Sequence, residues 1–230
     1  MPKTSFDPSS HGFRFLNEFQ DKALGVVPMY GACGGMSYAA LDYFLAGRAV
    51  PPYAKTPSNS SVLGRYIWDR HWDSTVRSWH AARHAELSSC LDEQALAQQT
   101  TRVEWERMRT AIDRGTTVVL GLIGWGPIPS RNHQVVAYGY EDRPQTVYVY
   151  DNRVGPEEIC LVNDGRSAYW WSSKTGASSS SSASDMRWRG WFLESGYQPR
   201  APVVAGQYSA ECEYQWVSRW GYKSPGRPSS

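Results

Sequence analysis

The sequence has no apolar run of the length that crosses a bilayer. Its start, Met1-Pro2-Lys3-Thr4-Ser5, also lacks the apolar stretch of a secretory signal, so the expectation is a cytoplasmic protein with no membrane partner. A charge excess of either sign is missing too. Twenty-four basic against 22 acidic side chains leave a net charge of +2, which gives no electrostatic case for nucleic acid or an anionic surface. Cysteine is scarce and scattered: Cys33, Cys90, Cys160 and Cys212 form no C-x-x-C pair. That pattern argues against a structural zinc site and against a disulfide framework. What remains is 41% hydrophobic residues in a chain of 230, enough to bury a sizeable core.

Residues 1–222 are expected to form one domain, with 223–230 a disordered tail. Pro8, Ser9, Ser10 and Gly12 mark residues 1–12 as a mobile start. Helical periodicity runs from Cys33 to about Ala46, with Gly47 as the stop, and again from about Val62 to Leu87 with a break near Asp73-Ser74. Thr101-Arg102-Val103-Glu104 reads as a capping box opening a helix whose inner stripe is Val103, Met108, Ala111 and Ile112, ended by Gly115. The character then changes. β-Branched residues at 116–123, then runs at 133–141, 146–151 and 158–163 separated by turn signals, read as an antiparallel meander. Helices first and strands after give an α+β fold. The serine-rich stretch at about 172–185 reads as a flexible loop, and Arg187 to Leu193 as a last strand returning to the sheet.

Against this frame stands Tyr30-Gly31-Ala32-Cys33-Gly34-Gly35-Met36-Ser37. Met36, Ala39, Ala40, Tyr43 and Phe44 recur at helical steps, which puts Cys33 at a helix N-terminus, where free N–H groups and the dipole favour a thiolate. Gly31, Gly34 and Gly35 remove Cβ atoms around the sulfur, and the reading is that a substrate carbonyl could come close there. A small buried hydrophobe is the bland alternative, so a base and an orienting group elsewhere decide. His133 stands at the mouth of the apolar run His133–Tyr138, and Val147–Tyr150 ends on Asp151-Asn152.

A helix-borne cysteine, a histidine opening one strand and a carboxylate closing the next resembles the papain-like cysteine peptidase superfamily. The pattern is closest to its bacteriocin-leader (double-glycine) peptidase type. The resemblance spans roughly Phe13 to Leu161 and implies a papain-like fold, with an N-terminal helical part carrying the nucleophile on a mostly antiparallel sheet. It implies a peptide or protein substrate, a Cys33–His133–Asp151 triad and no metal or organic cofactor. Asn152 is the alternative third member, because papain proper uses an amide there. Two features depart from the family: Cys33 is followed by Gly34-Gly35-Met36 rather than by a second cysteine and an aromatic, and Val27 replaces the glutamine six residues upstream. The oxyanion donor is therefore assigned to Asn17, anchored between Phe15 and Phe19, with Gln20 as alternative and Asn132 as an outsider.

His133 and the helix terminus are expected to lower the thiol pKa by units, with Asp151 fixing the imidazole tautomer. The same groups also serve transglutaminase- or deamidase-like acyl transfer. An inactive tryptophan-rich module that docks peptide or sugar is the reading from another class. Core packing accounts for most of the 11 tryptophans more cheaply. His80 and His84 share a helix face at metal-binding spacing but lack the acid of H-E-x-x-H. His71 has Asp69 and Asp73 as candidate partners, and Asp42 falls on the helix face opposite Cys33, where a structural hydrogen bond is the expectation. Cys90, Cys160 and Cys212 are read as packing residues.

Overall fold

A computed structural model describes residues 1–23, 27–77, 80–90, 92–125, 132–163, 170–174 and 186–203. The expectations for residues 175–185 of the serine-rich stretch, for the Cys90 side chain, for Cys212 and for the tail at 223–230 lie outside the described residues, while residues 172–174, read as loop, belong to a strand instead. Helix α1 (Pro8–His11) is followed by the strands β1 (Gln20–Ala23) and β2 (Val27–Tyr30), α2 (Cys33–Leu45) and α3 (Val62–Trp72). Asp73–Arg77 continues α3 as a π-helical turn before α4 (His80–Cys90), close to the break expected from the sequence. Next come α5 (Glu93–Gln98), a second π-helical turn at Gln99–Glu104, and α6 (Trp105–Asp113). Strands β3 (Val118–Ile123), β4 (His133–Asp142), β5 (Gln145–Tyr150), β6 (Glu158–Asn163), β7 (Trp170–Lys174), β8 (Met186–Trp188) and β9 (Gly190–Leu193) complete the described chain.

These last seven form one antiparallel sheet in the order β8-β7-β6-β5-β4-β3-β9. Its two edges are consecutive in the chain. Trp188 ends the strand that pairs with β7, and Gly190 begins the strand that pairs with β3. The sheet must curl to bring those edges together, and Arg189 stands at the corner. The α+β class expected from the sequence is therefore present. Alternation along each strand splits its residues between two cores. Val136, Tyr138, Tyr148 and Tyr150 face α2, α3 and the aromatic N-terminal segment Phe6–Phe19. Val135, Ala137, Val147 and Val149 join Trp105, Met108, Ile112, Trp170, Trp188 and Trp191 on the other face. The tryptophans here are core, as expected. At about 25 cal/mol per Å² of apolar area removed from water, side chains of this size are the largest single contributors to it.

Helix α2 is buried from Gly34 to Tyr43, more completely than a one-sided stripe would need. The buried Asp42–Arg70 pair, 2.7 Å apart, ties it to α3. Tyr66, Tyr197 and the Arg200 backbone N–H also bond Asp42, so the segment 197–203 is held across both helices. Removing one partner of such a pair typically costs about 3–5 kcal/mol. Asp42 is structural, as its helix face predicted.

Three local readings are corrected. Residues 1–12 are not a loose start: Asp7 caps α1, Phe6 is buried, and Lys3 bridges to Gly139. Thr101 opens no helix. Asp92 is the cap of this stretch, the Thr101 hydroxyl donates back to the Ala97 carbonyl, and Glu104 turns inward to accept from the Leu193 N–H. Val103, assigned to the inner stripe, is exposed.

Candidate active site

Cys33 is the first residue of α2, and the chain reaches it through Gly31 in the left-handed region at φ 83°. A Cβ at Gly31 would press on the Asn17 amide at 2.9 Å. Asn17 accepts the Ala32 N–H at its Oδ1 (2.7 Å) and bonds the Asn152 carbonyl through its own backbone N–H (2.9 Å). Its neighbours Phe15 and Phe19 are buried. Ala32, at the N-cap, has no capping side chain, so the first-turn N–H groups remain available to the sulfur and to a ligand.

Gly34 and Gly35 serve a different purpose from the one expected. A Cβ on Gly34 would fall 1.9 Å from Gln134 Oε1 and 2.0 Å from Ser74 Oγ, and one on Gly35 would fall 2.1 Å from the Ile67 carbonyl. Their bare Cα atoms let the helix start press against α3 and β4. The space is filled by protein and is not left for substrate.

In the sheet, His133 opens β4 and Asp151 follows β5. Antiparallel pairing of β4 with β5 brings the two segments side by side. His133 Nε2 lies 2.7 Å from Asp151 Oδ1, which leaves Nδ1 as the ring nitrogen available to the cleft. Trp188 stacks on the imidazole at 6.0 Å and 15°. Asp151 also accepts the Arg153 backbone N–H (2.9 Å) and Arg153 Nη2 (3.3 Å).

Asn152 points elsewhere. It is buried and donates to the carbonyls of Cys33 and Gln134 and to the Ser37 hydroxyl, at 3.1 to 3.2 Å. Of the two adjacent candidates, Asp151 therefore contacts the imidazole and Asn152 braces the helix start.

Cys33, His133, Asn17, Gln20, Asn132 and Arg153 line a common cleft of about 560 Å³, with Glu18, Phe19 and Gly31. Gln20 is exposed on the cleft rim. Asn132 spends its Oδ1 on the Gly124 N–H (3.0 Å).

The electrostatics describe a neutral resting pair. Burial pushes the Cys33 thiol up to about 11, against the opposing pull of the Gln134 and Gly34 N–H groups and the Arg153 charge, and Glu194 adds to the rise. The lowered thiol expected from the helix terminus is thus overturned, because desolvation outweighs the dipole here. Burial also lowers His133, with Asp151 pulling the other way. Burial alone would raise the Asp151 carboxyl, but its bonds to His133 and Arg153 outweigh that and hold it below the ordinary carboxylate range.

Behind the sulfur lies a polar group that the sequence reading missed. Gln134 Oε1 is 4.0 Å from Cys33 Sγ, the outer limit for a thiol hydrogen bond, and 3.3 Å from Ser74 Oγ. Its amide nitrogen bonds the buried Glu194, whose carboxyl burial drives up to about 8. Gln134 sits next to His133, and strand alternation alone sends it toward α2. Glu194, 60 residues away, carries no local signal.

His71, which the sequence offered to Asp69 or Asp73, meets neither. Its ring packs on Trp68, and burial lowers it to about 4. His84 packs edge-on against Phe192, and the His80 side chain lies outside the described residues. No group of three or more His, Cys, Asp or Glu among the described residues is arranged to hold a metal ion. No helix among them is long and apolar enough to cross a membrane.

Comparison with protein-family models, curated proteins and solved structures returned no match.

Proposed function

We propose that this chain is a cysteine-dependent hydrolase of peptide bonds with a papain-like arrangement. Cys33 is the nucleophile, His133 the general base and acid, and Asp151 the group that orients the imidazole. The supporting observation is the 2.7 Å bond from His133 Nε2 to Asp151, which reserves Nδ1 for a cleft that also contains the helix-terminal thiol.

Because thiol and imidazole are both neutral at rest, proton transfer accompanies attack instead of preceding it. The sulfur forms a bond to the scissile carbonyl carbon, its proton passes to His133 Nδ1, and the carbonyl electrons move onto oxygen. That oxygen is received by the Cys33 N–H and the Asn17 side-chain amide, whose Oδ1 is already committed to Ala32. A preorganised donor of this kind gains strength as the charge develops. The C–N bond then breaks, and the imidazolium protonates the departing amine. Water, losing its proton to His133, opens the thioester and restores the thiol. Asp151 stays ionised and stabilises the imidazolium in both half-reactions.

A peptidyl vinyl sulfone at pH 7.5 tests the reading. The expected result is one adduct, on Cys33, formed at least about 100-fold more slowly in His133→Ala, the scale of a lost general base. Hydrolysis of a mixed fluorogenic peptide library should vanish in Cys33→Ala. Adducts spread over the cysteines at a rate indifferent to His133 would overturn it.

A further inference from the structure

Arg153 has no part in the steps above, yet it lines the cleft beside Cys33 and His133. Its guanidinium lies 5.1 Å from the centre of the Trp188 ring, the same ring that stacks on His133. Nη2 reaches Asp151, Nε is buried without an acceptor among the described residues, and the side chain as a whole is 30% exposed, so the remaining guanidinium N–H groups are the ones open to a ligand. A cation fixed by an indole face and one carboxylate keeps donors to spare, and arginine suits carboxylates through its planar fork. The position relative to the chemistry is also defined. In the proposed steps the carbonyl oxygen turns toward Asn17, which lines the cleft beside Gly31. The departing group faces His133, which protonates it, and Arg153 lines the same cleft, with Asp151 and Trp188 buried behind the two.

Resting on the peptidase reading, we propose that Arg153 selects substrates with a carboxylate on the leaving half of the scissile bond, as an acidic side chain or a free α-carboxylate. Glu18, the other charged residue of the lining, adds an anion to the cleft. Selectivity therefore comes from the local fork of Arg153 and not from a net positive field. The Arg153 charge also acts on the Cys33 sulfur, which places the guanidinium within electrostatic range of the reacting centre.

Three chloroacetyl probes carry the test, each placing its variable residue on the leaving side: chloroacetyl-alanine amide, chloroacetyl-aspartate amide and chloroacetyl-alanine with a free carboxylate. In each, sulfur bonds to the methylene carbon, chloride departs with its electron pair, and the thiol proton goes to His133. Rates at Cys33, read by intact mass and divided by the rate with 2-mercaptoethanol, remove intrinsic reactivity. At least one anionic probe should react about tenfold faster than the neutral amide, the scale of one partly solvated charged hydrogen bond. The faster of the two names the source of the carboxylate. Arg153→Gln should abolish the preference and Arg153→Lys should keep part of it. Dividing anionic by neutral rates within each variant cancels any effect of the lost Asp151 contact on His133.

Equal rates for the three probes, or a preference that survives Arg153→Gln, would overturn the assignment while leaving the peptidase reading intact. A Cys33 inert to all three would overturn both.

Discussion

Glu194 offers the clearest quantitative handle on the site's back wall. Its carboxyl is buried, bonded by Gln134 and raised from an ordinary 4.5 to about 8. In the unfolded chain it titrates near its ordinary value. Between those two pH values the folded state holds a proton that the unfolded state has released. Raising the pH therefore favours unfolding, by about 1.4 kcal/mol per pH unit, and the full span of about 3.5 units amounts to about 5 kcal/mol.

Below about pH 4.5 both states are protonated and the effect is absent; above about pH 8 it has reached its full size and stays constant. Glu194→Gln keeps the shape and the bond to Gln134 but cannot ionise. Its stability relative to the parent should thus rise by about 4 kcal/mol between pH 5.0 and 8.5.

His71 works in the other direction. It is held neutral down to about pH 4, so unfolding takes up a proton below its ordinary pKa of 6.5 and stability is lost as pH falls from there. Parent and variant share this term, and it cancels in the comparison. Urea unfolding followed by tryptophan fluorescence at pH 5.0, 6.5 and 8.5 is the assay. A difference in stability that stays constant across the three pH values would refute the reasoning, since it would mean that Glu194 ionises in the folded protein as it does in water.

Cys33→Ser should abolish turnover while changing stability by no more than about 1 kcal/mol in urea unfolding, because the two side chains are nearly isosteric. Asn17→Ala should cost about 10² to 10³ in kcat with KM little changed, and Gln20→Ala should stay close to the parent. Asp151→Asn should lower kcat by about 10³ to 10⁴, by releasing the imidazole from its tautomer, in steady-state assays on the same fluorogenic peptide. Iodoacetamide labelling of Cys33 should keep rising with pH from 6 to 9, because burial holds the resting thiol up at about 11; a plateau already reached at pH 6 would show a preformed ion pair.

Much of the frame was legible because it is local. The meander at 116–163, the stop at Gly47 and the break near Asp73 follow from turn residues and periodicity. Cys33 and His133 could be singled out for the same reason. The hairpin of β1 and β2 was not legible, since strands of four residues leave too little pattern to read. The Thr101 capping box failed because a hydroxyl in that position can equally bond back to the carbonyl four residues earlier. Asp92, nine positions upstream, had already capped the stretch.

The site's electrostatics escaped the sequence for a different reason. A helix terminus and a nearby histidine both favour a thiolate, and both can be read from the chain. Desolvation opposes them, and it comes from a burial that only the fold produces, with the charge of Glu194, just beyond β9, adding to the rise. The same distinction separates Asp151 from Asn152. As neighbours beyond the end of β5, they differ in sequence only by an acid and an amide. The fold gives the acid the imidazole and a guanidinium, where a negative charge is compensated. It gives the amide two carbonyls and a hydroxyl, which need a donor that a carboxylate could not supply. Exchanging the two residues would leave both sets of partners unsatisfied, so their order follows from the hydrogen-bonding capacity of each pocket.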